Sequence, residues 1–316
     1  MTRLNRYDQS ASIGLGYGLF TYVAWGFFPL YFHSLAPAGA FEVICHRAIW
    51  GLVFSLAALA ILPRGFAALK AALSNPQLTV RLAIAGFLII GNWTSYVYAV
   101  LTDRTIDASL GYFINPLITV ALGRVFLRER LTRLQGVALA LGAGAVLVLA
   151  IGLEHFPWLA IVMPTTFAGY SLVKKKIALD VTPVVGLSIE TGVVTPIMIA
   201  YLVYLCARGE TSFHVLTATG SPASSIAAHA ALLVGAGAIT LVPLLTLAVA
   251  SRTLSLSLLG LLQYISPVMQ LIVATVVFKE VVEPMRWAGS ALVWAAIVVL
   301  LIDGAIRARQ RKRRHG

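Results

Sequence analysis

Apolar residues dominate ten stretches of this chain, and short polar or charged segments separate them. Each stretch is close to the roughly 20 residues that an α-helix needs to cross the hydrocarbon core of a bilayer. We therefore predict an all-α integral membrane protein with ten transmembrane helices. They lie at about residues 12–33, 40–62, 80–101, 106–127, 133–152, 156–174, 183–207, 227–250, 255–278 and 285–303.

The polar segments between these stretches are too short to form a soluble domain. The longest of them, residues 208–225 ("RGETSFHVLTATGSPASS"), has the composition of an ordinary loop. The first apolar stretch is too long for the hydrophobic region of a signal peptide, and no small-residue cleavage site closes it. We expect one membrane domain.

Composition supports a lipid environment. The chain is 59% hydrophobic and 11% charged, with a mean hydropathy of +0.88, whereas soluble domains average about 45–50% apolar and about 25% charged residues. Cys45 and Cys206 both lie in apolar runs, which favours small buried side chains over a disulfide or a metal site.

The net charge of +12 indicates topology rather than nucleic-acid binding. If the N-terminus is cytoplasmic, most of the 24 Lys and Arg residues fall in cytoplasmic loops and in the tail "RARQRKRRHG". By the positive-inside rule, both termini are expected in the cytoplasm, with the basic loops near anionic lipid headgroups. The expected partners are therefore membrane lipid and a small molecule, and not a nucleic acid.

One helix-length pattern occurs twice. "LGYFINPLITVALGRVFLRE" (110–129) returns in altered form as "LLQYISPVMQLIVATVVFKE" (261–280), with Pro116 matching Pro267 and Glu129 matching Glu280. The two copies occupy the fourth and ninth apolar segments, so the chain divides into five-helix halves, 1–154 and 155–316, the second including the basic tail. Since five is odd, the second half enters the membrane from the opposite side. Such inverted repeats are typical of transporters that work by alternating access.

The repeated prolines predict helix breaks near the middle of the bilayer. A proline inside a helix lacks an N–H and leaves the carbonyl four residues earlier without its partner. Pro116 is thus expected to free the carbonyl of Tyr112, and Pro267 that of Gln263. Free carbonyls at this depth are tolerated where they line a cavity, although many transmembrane prolines only kink a helix.

Two opposite charges lie inside the equivalent second and seventh segments. Arg47 and Glu190 each stand about 12 Å from the end at which their helix enters, and an isolated charge at the bilayer centre costs at least about 2.5–3.5 kcal/mol. We expect an Arg47–Glu190 ion pair. It either holds the halves together or, with His46, contacts the substrate or gates the pathway. Glu42, near the outer end of the second segment, could simply be solvated.

Aromatic and amide side chains cluster around the same depth and complete the predicted substrate-binding site. Aromatic residues at membrane interfaces are the ordinary alternative for each taken singly. A cavity with these walls and one ion pair suits a small amphipathic metabolite, such as a zwitterion. The predicted site comprises Trp25, His46, Arg47, Asn92, Trp93, Tyr96, Tyr112, Asn115, Glu190, Gln263 and Tyr264, with helix breaks at Pro116 and Pro267.

Several motifs do not carry catalytic or cofactor chemistry. "GLGYG" (14–18) and "GAGA" (142–145 and 235–238) lie inside apolar spans, where small residues allow close helix packing. No P-loop occurs, and the histidines lack the spacing of metal ligands. Lys174–Lys176 are interpreted as a helix end whose side chains extend to the headgroups. We expect no cofactor, no metal and no enzymatic activity.

The chain resembles the RarD branch of the EamA-type transporters, in the drug/metabolite transporter superfamily. The resemblance implies ten helices in two inverted halves around a central cavity, lined by the first four helices of each half. The fifth and tenth helices would be peripheral. It is carried over residues 12–303 by "YVAWGFFPLYF" (22–32), "FEVICHRAIWG" (41–51), "NWTSYVYAV" (92–100), "ASLGYFINPLITVALGRVFLRERLT" (108–132) and "LGLLQYISPVMQ" (259–270).

The chain departs from that branch at "LTDRTID" (101–107), where consecutive asparagines are common. The resulting prediction is a secondary transporter or permease for small organic metabolites or drug-like amphipathic solutes, in the inner membrane of a bacterium. A membrane-embedded small-molecule receptor or binding protein without net transport is the alternative. Glu190 is the candidate carrier of a coupling proton, and facilitated diffusion is equally compatible with the sequence.

Overall fold

The computed structural model describes residues 3–101, 105–150, 158–279 and 284–315, and this part of the chain is helical with no β-strand. The helices, in chain order, are α1 (Arg3–Gly26), α2 (Phe28–His33), α3 (Ala40–Ile61), α4 (Gly65–Leu73), α5 (Pro76–Leu101), α6 (Thr105–Phe126), α7 (Arg133–Ala150), α8 (Leu159–Lys176), α9 (Pro183–Arg208), α10 (Ser212–Ala218), α11 (Ala223–Thr253), α12 (Leu256–Leu262), α13 (Ile265–Ile272), a π-helical turn (Val273–Val277) and α14 (Pro284–His315).

Each apolar segment predicted from the sequence lies on one or more of these helices. The first segment corresponds to α1 and α2, and the ninth to α12, α13 and the π-helical turn. The expectation of a plain loop at 208–225 is wrong, because α10 lies within it and its first residue, Ser212, is buried. The predicted segment edges at 151–152 and 156–157 fall outside the described residues, as do residues 102–104 of "LTDRTID" (101–107) and Glu280 of the repeat.

Seven stretches of the described chain are long and apolar enough to cross a membrane. The apolar parts of α6 and α7 are shorter, and α8 ends in three lysines. The protein is therefore an all-helical, multi-pass membrane protein with seven candidate spans: Ser12–His33, Ala40–Ile61, Pro76–Ala99, Pro183–Ala218, Ala223–Thr253, Leu256–Val277 and Trp287–Gly304.

Polar residues between the apolar runs start several helices. Thr132 and Gln135 form a reciprocal capping box at α7, in which each backbone N–H donates to the other side chain at 3.1 Å. Asn75 caps α5, with its Oδ1 accepting from the Leu78 N–H at 3.2 Å, and the Ser255 hydroxyl caps α12 by accepting from the Leu258 N–H at 3.1 Å. These caps satisfy backbone donors that the first turn of a helix leaves without partners.

The helices pack as a bundle with a separate pair at one side. α3 lies between α9 and α11, α5 packs on α8 and α9, and α1 packs on α11 and α13. α7 packs mainly on α14, where the Thr132 hydroxyl donates to Asp303 Oδ1 at 3.0 Å. The α7–α14 pair is thus joined at its polar end and leaves the other helices to form the centre of the bundle.

Glycines allow the closest of these helix contacts. A Cβ added at Gly237 of α11 would stand 2.5 Å from the carbonyl carbon of Trp50 and 2.7 Å from the Gly51 nitrogen of α3. Gly86 of α5 meets the backbone of Glu190 in the same way, with an added Cβ 2.5 Å from its carbonyl oxygen. The packing interpretation of "GAGA" (235–238) is therefore confirmed at Gly237, since only a residue without a side chain fits this crossing.

The two repeated prolines have different effects on their helices. The ninth segment is interrupted at Gln263 and Tyr264, one turn before Pro267. The predicted break at Pro116 is wrong, because α6 continues through it. A proline removes only one helix hydrogen bond, so a helix packed on both sides can bend and continue. The carbonyl of Gln263 is not free either, because it accepts from the Ser266 N–H at 3.3 Å.

The outer faces of the helices carry large apolar side chains. Leu147 of α7 is 68% exposed, and Val203 of α9 and Leu301 of α14 are also among the exposed apolar residues. A soluble protein rarely presents apolar surface on this scale. These faces fit the hydrocarbon of a bilayer.

The crossing of α3 and α11 gives a first prediction. Gly237→Ala should lower the free energy of unfolding by about 1–3 kcal/mol, because the new methyl group meets backbone that cannot rotate away. The control is Gly136→Ala in α7, where an added Cβ meets nothing within 4 Å. That control should be neutral or stabilising by up to about 1 kcal/mol. Thermal midpoints in detergent measure both, and equal midpoints for the two variants would contradict the close crossing.

Candidate substrate cavity

A cavity of about 370 Å³ lies between helices of the two halves of the chain. Its residues come from α1, α2, α3, α5, α6, α8, α11 and α13 and from the turn before α13. They are Tyr22, Trp25, Phe28, Pro29, Phe32, Ala38, Ala40, Val43, Ile44, Arg47, Ile89, Asn92, Trp93, Tyr96, Val97, Gly111, Tyr112, Asn115, Met163, Pro164, Phe167, Thr240, Leu244, Gln263, Ser266, Pro267 and Gln270.

The cavity lies towards one end of the bundle. It is lined by the first two turns of α3, by residues 111–115 of α6 and by residues 163–167 of α8, so it occupies the end at which these three helices begin. The last residue of α6, Phe126, is 11 residues beyond Asn115, which is about 16 Å at 1.5 Å per residue. The opposite end of the bundle is therefore separated from the cavity by several turns of helix.

Many of the site residues predicted from the sequence lie together in the structure. Nine of them line the cavity: Trp25, Arg47, Asn92, Trp93, Tyr96, Tyr112, Asn115, Gln263 and Pro267.

Arg47 brings a charge to the cavity wall. Its side chain is 9% exposed, and Nε donates to Thr240 Oγ1 of α11 at 2.9 Å. The guanidinium carbon stands 3.9 Å from the ring centroid of Trp93 and 5.1 Å from that of Phe32, within the range of cation–π attraction. Three neighbouring elements, α2, α5 and α11, therefore hold the guanidinium in position.

Amide groups supply the other polar atoms of the wall. Asn92 Nδ2 donates to the carbonyl of Met163 at 2.8 Å, and Gln263 Nε2 donates to Thr119 Oγ1 at 3.3 Å. The Oε1 atom of Gln263 and the Oδ1 atom of Asn115 are buried without a hydrogen-bond partner in the described residues. Buried acceptors are normally satisfied, so these two oxygens are candidates for contact with a bound molecule.

Aromatic rings form much of the remaining surface. Trp25 contacts Tyr22 and Phe167 edge to face, with ring centroids 5.5 and 5.6 Å apart, and Tyr96 contacts Tyr112 at 5.8 Å. On α13, the Ser266 hydroxyl donates to the Tyr22 carbonyl of α1 at 2.7 Å. The result is an aromatic chamber with a small number of fixed polar groups, which is the usual form of a small-molecule site.

The expected Arg47–Glu190 ion pair is wrong. Glu190 instead accepts from Lys174 Nζ at 2.6 Å and from the Tyr170 hydroxyl at 3.3 Å. α9, which carries Glu190, packs behind α3 and α5 and contributes no described residue to the cavity wall. Arg47 and Glu190 each lie about two turns from the start of their helix, and α3 and α9 start at opposite ends of the bundle. Lys174, near the end of α8, is the cation within reach of Glu190.

The interpretation of Lys174 as an extended helix end is also wrong. Its side chain is 4% exposed, and Glu190 is 1% exposed. Gly186, one turn before Glu190, lies beside the Lys174 side chain, since an added Cβ there would make an ordinary contact of 3.5 Å with Nζ. Lys174 therefore turns inward along the face of α9 instead of extending to the headgroups.

Three other predicted residues also lie away from the cavity wall. Tyr264 is fully buried beside Gly142 and packs with Phe113, Val293 and their neighbours at the α7–α14 side. His46 and Pro116 are not among the lining residues. His46 follows the turn of α3 away from Arg47, since adjacent residues on a helix point in different directions.

The suggestion from the sequence that Glu42 is solvated near the outer end of α3 is wrong. Glu42 is buried and accepts from the Ser212 N–H and the Ser212 hydroxyl of α10, both at 2.8 Å. His229 Nε2 of α11 lies 2.8 Å from the same hydroxyl. This cluster ties α3, α10 and α11 together.

Some lining residues could not be identified from sequence patterns. Thr240, the hydrogen-bond partner of Arg47, is an ordinary threonine in an apolar run. Pro164 and Phe167 of α8 belong to no repeated motif. Phe32 is part of "YVAWGFFPLYF" (22–32), where the aromatic-rich pattern could have identified it.

At the end opposite the cavity, a carboxylate joins the two halves. Glu129, which follows α6, accepts from the N–H groups of Leu256 and Ser257 at the start of α12, each at 2.7 Å. Lys175 Nζ donates to the carbonyls of Ser251, at 2.7 Å, and Leu254, at the end of α11. A carboxylate at a helix start and an ammonium at a helix end both match the helix dipole, so these contacts favour the packing of α8 and of the segment after α6 against α11 and α12.

Known proteins with similar sequences are named RarD or uncharacterized transporter. No family model matches the chain. Protein RarD of Streptomyces exfoliatus is 40% identical over 97% of this chain and 93% of its own length. An uncharacterized transporter of Pseudomonas aeruginosa is 38% identical over 93% of this chain and 95% of its own.

Protein RarD of Escherichia coli is 35% identical over 94% of this chain and 96% of its own length. A protein crystal structure with 20% sequence identity matches the fold with a TM-score of 0.64, covering 92% of this chain and 96% of that one. The resemblance drawn from the motifs is confirmed: the chain belongs to the RarD family of transporters.

Proposed function

We propose that this protein is a secondary transporter that moves small organic metabolites or drug-like amphipathic solutes by alternating access. The observation that carries the proposal is the cavity itself. It lies within a membrane bundle between the two halves of the chain and holds one arginine and several amides among aromatic walls. Its volume of about 370 Å³ is at the small end of the range for small-molecule sites, about 300–1,000 Å³.

The architecture in this proposal is two inverted five-helix halves with ten spans. The packing of the helices supports it, because exchanging the halves converts one set of helix contacts into the other. The α5–α8 contact corresponds to α11–α1, α3–α11 to α9–α5, and α6–α8 to α12 and α13 on α1. The contacts α3–α9, α6–α12 and α7–α14 correspond to themselves. A bundle with this exchange has two conformations of similar energy.

The contact of Glu129 with α12 gives the closed end of the transport path. It joins the first half to the second half at the end away from the cavity. In the other conformation this contact would open, and the cavity would be closed at the end where α3 and α6 begin. The solute would then pass between the two sides without a continuous pore.

The proposed orientation places the closed end in the cytoplasm. The basic residues near it, Lys174–Lys176 and the loop after α6, fit the positive-inside rule, as does the basic C-terminal end of α14. Both termini are then cytoplasmic in a bacterial inner membrane, and the cavity faces outward. Anionic lipid headgroups would contact the basic loops.

A coupling proton, if one is used, has a defined candidate site. Glu190 is paired with Lys174 and lies outside the cavity wall. Protonation of Glu190 would leave Lys174 charged and buried without its partner, which favours a rearrangement of α8 against α9. Coupling through Glu190 would therefore act on helix position rather than by contact with the solute.

A binding protein or receptor without net transport is the second candidate function. It uses the same cavity but no alternation between conformations. The Glu129 contact would then be permanent, and a solute would bind without crossing the membrane.

Transport in proteoliposomes tests the proposed function. We expect purified protein to exchange at least one solute from a broad panel of labelled organic acids, amines and neutral metabolites across the membrane, with no added ATP. Asn115→Trp should lower the rate at least tenfold, because it fills part of the cavity. Leu147→Trp places the same side chain on an exposed face and should keep the parent rate. Solutes that bind but never cross would support the binding protein instead.

Reporter fusions test the orientation. A reporter that is active only in the periplasm should give no signal when fused after Gly316 and a strong signal when inserted after Gly220, between α10 and α11. The second fusion controls for expression and folding of the reporter. The reverse pattern would contradict the proposed topology.

A further inference from the structure

We propose that the cavity selects organic anions, with the carboxylate or equivalent acidic group of the substrate bound by Arg47 and its planar apolar part against Trp93. This inference rests on the proposed function, because it names the class of solute that the cavity would take. It replaces the zwitterion suggested by the sequence alone.

The charges around the cavity support an anion. Arg47 is the one Lys, Arg, Asp or Glu among the described residues of the cavity wall. Two buried carboxylates outside the cavity wall have other partners. Glu190 accepts from Lys174, and Glu42 accepts from Ser212. A guanidinium buried inside a membrane protein is costly without a counter-charge. Here a bound anion can supply that counter-charge.

The guanidinium is also positioned for a carboxylate. Its Nε is held by Thr240, and neither terminal nitrogen has a hydrogen-bond partner in the described part of the chain. Those two nitrogens carry the remaining N–H groups, whose fork geometry matches two carboxylate oxygens. Stacking on Trp93 at 3.9 Å restricts the plane of the group, so little further ordering is needed on binding.

The unpartnered amide oxygens define the other end of the substrate. Asn115 Oδ1 and Gln263 Oε1 are buried acceptors on the cavity wall. Both oxygens are covered in this structure, so a hydroxyl or N–H group on the substrate would satisfy them after the amide side chain turns towards the cavity. The preferred solute is therefore a small aromatic or aliphatic acid that carries a hydrogen-bond donor away from its carboxylate.

The same residues disfavour cations and zwitterions. An ammonium group in this cavity meets no carboxylate in the described wall, and it would lie in the same chamber as the Arg47 charge. A zwitterion keeps its carboxylate contact but must also desolvate its ammonium group. Amino acids should thus bind less tightly than the acids that lack the amino group.

The experiment compares ligands that share one ring and a two-carbon chain and differ in the polar group. They are 3-phenylpropanoate, 3-phenylpropanamide, phenethylamine and phenylalanine, and 4-hydroxybenzoate with its amide adds a further acid–amide pair. Binding to purified protein is followed by tryptophan fluorescence, because Trp25 and Trp93 line the cavity. We expect at least one acid to bind at least tenfold more tightly than its amide and than the corresponding amine or amino acid.

Variants of Arg47 make the assignment specific. Arg47→Met should abolish the preference for the acid, and Arg47→Lys should keep part of it, because an ammonium retains the charge but not the fork. Thr240→Val should weaken acid binding several-fold by releasing Nε. Arg208→Met removes an exposed arginine paired with Glu210 and should leave binding unchanged. Thermal midpoints show which variants are folded, and Arg47→Gln serves if Arg47→Met is not.

The outcomes separate this inference from the proposed function. Failure of every acid to bind, or binding of acids that Arg47→Met and Arg47→Gln leave unchanged, overturns the anion site. Transport of neutral or cationic solutes with no dependence on Arg47 also overturns it, while the transporter assignment stands. Acid binding that depends on Arg47 but is never followed by transport supports the anion site and contradicts the proposed function.

Discussion

The guanidinium of Arg47 has to stay charged inside a bundle whose outer surface faces lipid, and the centre of the molecule is arranged around that requirement. Thr240 from α11 holds Nε, Trp93 from α5 covers one face, and Phe32 approaches from α2. None of these groups carries a negative charge. They lower the cost of the buried cation without neutralising it, so the cavity beside it keeps an electrostatic preference that a solute can use.

Other buried charges in the described chain are satisfied within the protein. Glu190 has Lys174 and Tyr170, and Glu42 has Ser212. Glu129, which is only half-buried, has two backbone N–H groups of α12. These pairs connect helices, and Glu129 connects the two halves. Removing one partner of a buried pair is strongly destabilising, so these charges stabilise the bundle. Arg47 differs from them because it lines the cavity.

Hydrophobic periodicity predicted the helices because lipid requires long uninterrupted apolar segments. The duplicated proline motif located the cavity, since Asn115, Gln263 and Pro267 all line it. The sequence could not show that α9 lies behind α3 and α5, because helix order within a bundle is set by packing between distant segments. It therefore paired Glu190 with the wrong cation. Similarly, whether Lys174 extends outward or turns inward depends on Glu190 of α9 lying within reach, and whether Pro116 breaks α6 depends on the helices packed around it.

The proposed alternating access requires that the cavity open to one side of the membrane while the contact of Glu129 with α12 closes the other side. A single cysteine at Ser266, on the cavity wall, tests it in a background with Cys45→Ala and Cys206→Ala, using a charged thiol reagent that does not cross membranes. We predict rapid modification in right-side-out vesicles and little in inside-out vesicles, where adding Glu129→Gln should raise the rate. Equal modification from both sides, or modification only from the cytoplasmic side, would contradict it.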